Sequence, residues 1–541
     1  ILPHIEKVKH AEIKLAAFFA EHNTAFYTAD HLIPLLKSIF IDSKIAQDLS
    51  LARTKCTKIV KEVIAKYETE KLVDILKNCK FSILVDESTD IADTKLMCVL
   101  VRYVSPIDKK VKTQLLDFIS LDATNFMIGP HNSFASHLKS EISGLVLLKC
   151  ICHSSAIIAS KACEKLSESC EKLIRNVVGY ISGSAKRSAI LREFQDFFEV
   201  EKNKLLKLSN TRWLVLHKCV VRILDNWDVL KSYFILAVAE DKLESAEIIL
   251  IQLNDVTIKT YLLFLKYALH FFNSFNAFFQ SRTVLIHKLF DSSQKLIRQF
   301  AENFIIPEAL KDIATLNIDD DKNIQHLNDI YVGPECESLL AEQSSECAQE
   351  IKLKCLQFYK TAVKEMLKRL PYKDTFFEML SFIDPKIALY IENRIKIKDL
   401  TDIVVRIGLT EQIDITKLAV EWRSLPSTFN DIEKQELNSL DIEEMWKKIL
   451  ECKDNNGDKM FSTLESLIKI VFSLPHSNAE AERIFSIVSD VKNKKRNRLS
   501  NDTVSAICII RSSFQSQGNN CLNFEVEPRH LELHNSENLY K

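Results

Sequence analysis

The sequence predicts an α-rich α/β protein of more than one domain, and three observations lead there. Its 541 residues, 47% of them hydrophobic, can fill more than one buried core. Gly (8) and Pro (11) are few beside the abundant Leu, Ile, Lys and Glu, which favours helices. A short apolar run of strand type, Phe81-Ser-Ile-Leu-Val85, breaks the helical period and is followed by two further β-rich runs.

Taken in order, the chain opens with helices. Between Lys9 and Phe40, Ile13, Ala16, Ala17 and Ala20 form one helical stripe and Leu32, Leu35 and Leu36 another. A further helix is expected from Lys55 to Lys77. The strand Phe81–Val85 ends in Asp86, Leu96–Val104 continues as strand, Ser105-Pro-Ile-Asp108 turns, and Val111–Leu121 returns to make a hairpin. After a break at Gly129-Pro130, Leu145–Leu148 reads as a buried strand, and the helix after it carries Ile157, Ile158 and Ala162.

From about 226 to 449 the pattern is helical, with amphipathic segments at Thr260–Phe279, Val284–Phe304 and Ile351–Leu370 and polar loops between Leu316 and Ser345. The tail after Glu525 is expected to fray. No internal repeat or low-complexity tract stands out. The expected divisions are a helical segment 1–77, an α/β part 78–225, an all-α stretch 226–454, a second part of the core 455–515, and a tail 516–541.

Basic and acidic residues balance at 72 and 73, so any contact with nucleic acid has to come from local patches. The 14 Cys are scattered among Lys-rich helices and no secretory leader opens the chain, which points to free thiols in a reducing, intracellular compartment. No apolar window is long enough for a membrane span. The chain begins with Ile1 rather than Met, and residues upstream are expected.

Two stretches carry candidate chemistry. In Val85-Asp86-Glu87-Ser88-Thr89-Asp90 an Asp ends an apolar strand, where a sheet-based nuclease holds a divalent cation; a carboxylate there more often serves a turn. In Ser477-Asn-Ala-Glu-Ala-Glu-Arg-Ile-Phe-Ser486, a helix opened by Ser477 or Asn478 sets Glu482 and Ser486 one turn apart on one face. A basic run of Lys492, Lys494, Lys495, Arg496 and Arg498 follows. On physical grounds alone, this is a capped helix with a solvated charge cluster.

These segments, with Cys150-x-x-His153, Thr211-Arg212-Trp213 and Arg496-Asn-Arg-Leu499, occur in the order found in hAT-superfamily DNA transposases. From about residue 10 to 515 the chain resembles that family, and within it the domesticated, zinc-finger-associated hAT-like proteins of animals, whose upstream zinc finger is absent here. The resemblance implies an RNase H-like core split by a large all-α insertion, and a nuclear or otherwise intracellular location. It also implies catalytic, metal-binding carboxylates at Asp86, Asp122 and Glu482, and a DNA-handling aromatic at Trp213. Such a site holds two Mg²⁺ about 3.5–4 Å apart.

Asp122 sits in Asp122-Ala-Thr-Asn-Phe-Met-Ile-Gly129, which is similar to the family's second-Asp segment but lies only 36 residues after Asp86. A helix and a strand of the family fold are missing from that interval. If Leu115–Leu121 stays at the sheet edge, Asp122 is two strands from Asp86, roughly 10 Å, too far to share metals. If it takes the central place instead, Asp122 is positioned but the core loses its cover.

Other features have plain readings beside them. Cys150, Cys152 and His153, with Cys163 and Cys170, offer zinc ligands by type, but the spacing fits no standard finger, and Cys150 and His153 are read as structural. Arg212 and Trp213 suit stacking on an unpaired base, or burial in a core. Lys494, Lys495, Arg496 and Arg498 suit phosphates, or solvent. From about 441 to 513 the chain resembles the hAT C-terminal dimerisation region, with Met445, Trp446, Ile449, Leu464, Leu467 and Val471 supplying apolar surface, either to a partner or within one chain.

The expected function is that of a transposase-derived protein that homodimerises and binds DNA without cutting it. An active Mg²⁺-dependent transposase and a protein-interaction scaffold are the alternatives. Neither a membrane nor a small-molecule substrate is expected as a partner.

Overall fold

Helices gather into two compact units in the computed structural model, which describes residues 3–89, 95–120, 133–142, 145–206, 208, 214–395, 397–494 and 496–540. One unit combines residues 1–148 with 379–541; the other is 149–378. The second unit thus begins and ends upstream of the 226–454 stretch expected from sequence. The helices between 151 and 197 pack with those between 214 and 279, and the segment after 379 packs toward the helices that cover the sheet.

In the first unit, α1 (His4–Glu21) buries Ile13, Ala16, Ala17, Phe19 and Ala20 along one face, and α2 (Ala29–Ile39) follows it. The helix expected over 55–77 is present but changes its winding. It runs as α3 (Arg53–Lys58), a π-helical stretch Ile59–Ala65, and α4 (Lys66–Lys77). The wider π turn brings the adjacent pairs Ile59-Val60 and Val63-Ile64 all to full burial.

Among the described residues the sheet has three antiparallel strands, β1 (Phe81–Thr89), β2 (Lys95–Val104) and β3 (Val111–Ser120), in the order β1-β2-β3. β2 is buried from Leu96 to Val104, as a central strand must be. The hairpin turn is where the sequence put it. Ser105 N–H donates to the Lys110 carbonyl at 2.9 Å, and Lys109 takes a left-handed backbone at φ 61°. A register shift at Val99/Leu100 marks a bulge in the β2–β3 pairing.

Four helices complete the layer around the sheet: α5 (Ile442–Leu450), α6 (Ser462–Ser473), α7 (Ala479–Val491) and α8 (Asn501–Gln517). α6 packs on β2 and β1, α7 on the same two strands, and α8 along β3. Leu84, Leu96, Cys98, Leu100 and Leu115 of the sheet share one core with Ile484 and Val488 of α7 and Ile507 and Ile510 of α8.

Two expectations are corrected. Residues 145–148 are irregular and Leu147 is 39% exposed, so they form no buried strand; an apolar run becomes a strand only when another edge takes up its backbone groups, and none of the three strands does so. The tail after Glu525 is docked rather than frayed. It forms helices Pro528–Leu533 and Ser536–Tyr540, and its His530, Leu533, His534 and Leu539 are buried in the first unit.

In the second unit the helix Val256–Phe279 is central, and Phe264, Phe300, Phe304, Phe358 and Tyr359 interlock around it, mostly edge to face. Among the described residues no single helix is long and apolar enough to cross a membrane.

Candidate carboxylate site

Strand alternation sets Leu84, Asp86 and Ser88 on one face of β1, and Leu84 carries that face into the core shared with α7. Asp86 lies within β1, opposite Cys98, rather than at the end of the strand. The strand outlasts its apolar run because β2 pairs with it as far as Thr89.

The start of α7 is stitched to this point. Asn478 takes the N-cap position, but its side chain leaves the helix and donates to the Val85 carbonyl at 3.2 Å, one residue before Asp86. One turn further along α7 stands Glu482, with an exposed side chain. Ser486, expected on the same face, donates its hydroxyl to the Glu482 carbonyl at 3.1 Å.

Asp86 and Glu482 are close enough to repel. Burial raises the Asp86 carboxyl to about 6, the charges of Glu482 and Glu87 push the same way, and the Glu87 N–H, 3.0 Å from Asp86 Oδ1, opposes them. No cation is among the causes of this shift, whereas the neighbouring Glu480 has Arg483 as its ion-pair partner. A buried carboxyl with like-charged neighbours is a position where a proton or a cation is favoured.

The third expected carboxylate, Asp122, lies outside the described residues, as do Arg212, Trp213 and Lys495. The strand leading to Asp122 is described. Among the described residues β3 pairs only with β2 and ends at Ser120 opposite Leu96, so in the described sheet it takes the edge place, about 10 Å from β1 at two strand spacings.

The basic run divides. Lys494 and Arg498 are exposed. Arg496 is half-buried: its guanidinium donates to the Asn23 carbonyl at 2.7 Å and to the Asn23 side chain, and it lies over the Phe26 ring at 5.8 Å. Burial lowers its pKa. Lys492 is buried too, with Nζ 3.3 Å from Asn501 Oδ1.

In the second unit, Cys150 is the N-cap of the helix Ile151–Cys163; its Sγ accepts from the His153 N–H at 3.4 Å, and the His153 side chain is exposed. Met445, Trp446 and Ile449 of α5 and Leu464, Leu467 and Val471 of α6 are fully buried inside their own unit, and Trp446 Nε1 donates to the Ile383 carbonyl at 2.8 Å. Of the two readings of these six side chains, burial within one chain is the one realised.

Sequence reasoning missed the Asn478 link and the hydrogen bond from the Leu115 N–H to Ser512 Oγ at 2.9 Å, which holds α8 to the bulged edge of β3. Ser512 is one of three polar residues buried on α8, with Thr503 and Ser513, so nothing in the sequence singled it out.

Residues 36–130 match the ZMYM1/FAM200 RNase-like domain, and residues 425–514 match the hAT family C-terminal dimerisation region. No curated protein matches the chain. Both matched stretches fall in the two segments that build the first unit, and the second supports self-association. The carboxylates under consideration belong to those stretches, Asp86 to one and Glu482 to the other, and together the matches support a hAT-like, transposase-derived protein.

Proposed function

We propose that this protein is a homodimer whose RNase H-like core, split by the helical unit, binds DNA without cutting it. The observation that carries the reading is the edge position of β3. β3 is described as far as Ser120, two strand spacings from β1; in this reading Asp122 lies as far from Asp86, whereas two-metal cleavage needs carboxylates that share ions about 3.5–4 Å apart. The pair Asp86 and Glu482 is then a remnant that would hold one Mg²⁺. When bound, that ion would relieve the repulsion between the two side chains and polarise a phosphate oxygen.

DNA contact falls in this reading to Lys494, Lys495 and Arg498, with Arg212 and Trp213 stacking on an unpaired base. Arg496 instead braces the loop from within. Dimerisation draws on surface other than the six side chains buried inside the unit, and the nucleus is the compartment in which such a protein would work.

A nicking assay with Mg²⁺ or Mn²⁺ tests this, run beside Asp86→Ala and Glu482→Ala, with light scattering for mass and DNA binding measured across salt. A dimer that binds DNA with salt-dependent affinity and leaves it intact is the expected result. Nicking abolished by both substitutions would make this an active transposase, a reading that the electrostatic coupling of Asp86 to Glu482 favours. A dimer that neither binds nor nicks DNA would make it a scaffold.

A further inference from the structure

At the C-terminal end of α1, Glu21 and His22 meet Cys521, which follows α8 in the loop leading to the tail. One carboxylate oxygen, one imidazole nitrogen and the thiol sulfur all lie within 4.8 Å of one another. Among the described residues this is the group of three such side chains whose ligating atoms converge. His22 Nε2 is 3.6 Å from Cys521 Sγ. A tetrahedral Zn²⁺ with Zn–S of about 2.3 Å and Zn–N of about 2.0–2.1 Å holds sulfur and nitrogen about 3.6 Å apart.

The surroundings fix these groups independently of any ion. The Cys521 N–H donates to Glu21 Oε2 at 2.6 Å, which orients the carboxylate. Lys14 Nζ holds the Leu522 carbonyl at 3.1 Å and also the Phe524 carbonyl, and Asn520 Oδ1 accepts from the Leu522 N–H at 2.8 Å, so the loop is pinned just beyond Cys521. The His22 ring packs on Phe18 with centroids 4.7 Å apart. α1 has no basic residue in its last turn, and the negative end of its dipole favours a cation at this position.

We propose that Glu21, His22 and Cys521 form a zinc site that staples the C-terminal end of α1 to the loop following α8, with solvent completing the tetrahedron. Thiolate and imidazole together select Zn²⁺ over Mg²⁺ or Ca²⁺. On binding, the thiol gives its proton to solvent and sulfur becomes a ligand.

The test uses the full chain, reduced and stripped of metal by a chelator, titrated with Co²⁺ and with Zn²⁺. Expected are a thiolate-to-cobalt charge-transfer band and a zinc-dependent rise in Tm. Both should be lost in Cys521→Ser and in His22→Ala, and both kept in Cys347→Ser, a control in the other unit. If Cys521→Ser fails to fold by circular dichroism, Glu21→Gln retains the thiol and should weaken zinc binding by about 10-fold or more. The same band and the same Tm rise in wild type and in the site variants, or neither response in wild type, would overturn the proposal and leave an ordinary thiol–imidazole hydrogen bond.

Discussion

Glu12 and Asp86 belong to the same unit, both are withdrawn from water, and their surroundings drive them in opposite directions. Burial works to raise Glu12, but hydrogen bonds from His534 and Lys55, the charge of Lys55 and the Ser50 N–H together hold it below its ordinary value. Its oxygens lie 2.7 Å from Lys55 Nζ, 2.9 Å from His534 Nε2 and 2.8 Å from the Ser50 N–H. Asp86 is raised to about 6 by burial and by two further carboxylates. A carboxylate given a cation and hydrogen-bond donors joins α1, α3 and the docked tail into one body. A carboxylate placed beside other carboxylates costs stability until a proton or a cation arrives, which is how a binding site differs from a structural pin.

Breaking the pin should have the larger effect. Glu12→Ala leaves the partly buried Lys55 without its counter-charge and the buried His534 without its hydrogen-bond partner, and is expected to cost about 3–5 kcal/mol in chemical denaturation. A loss below about 1 kcal/mol would mean that water replaces the carboxylate. Because the folded pKa of Glu12 is depressed, its contribution is fully present above the ordinary value of 4.5 and is lost as pH falls through the folded value.

Relieving the site should run the other way. Asp86 has a folded pKa above its ordinary 3.8, so its contribution is fully present below 3.8 and is lost as pH rises through about 6. Asp86→Asn is therefore expected to be more stable than wild type at pH 8, by about 1–2 kcal/mol after solvent screening, with no gain at pH 3.5. Glu482→Gln should lower the Asp86 pKa in a carboxyl NMR titration. An unchanged titration would separate the two side chains.

The smallest effects distinguish two neighbours in the basic run. Arg496→Ala should cost about 1–2 kcal/mol through its lost contacts with Asn23 and Phe26. Arg498→Ala should stay within about 0.5 kcal/mol and show instead in DNA affinity. Equal losses of stability would place Arg498 in the fold as well.

Much of this was legible in advance. The apolar run of 81–85, the turn at 105–108 and the stripes of 260–279 and 351–370 are local patterns, and the strands and helices formed where those patterns lie. Asp86 and Glu482 could be singled out because each sits in a short, distinctive motif. Leu145–Leu148 misled because an apolar run records a tendency to be buried, while a strand also needs an edge to bond to. The contacts of Arg496 were not legible because charge in a sequence says nothing of which guanidinium finds carbonyls and a ring to lie against.

The sequence by itself determined the α-rich α/β class, the hairpin, the two carboxylate motifs and the resemblance to hAT transposases, all carried by residues near one another in the chain. The tertiary structure decided that Asn478 fastens α7 beside Asp86, that β3 takes the edge place, that the apolar residues of α5 and α6 turn into their own unit, and that Cys521 comes to rest against His22. Each of these joins residues distant in sequence, and such pairings are set by which surfaces can be buried together, a property of the packed chain that no short stretch of it encodes.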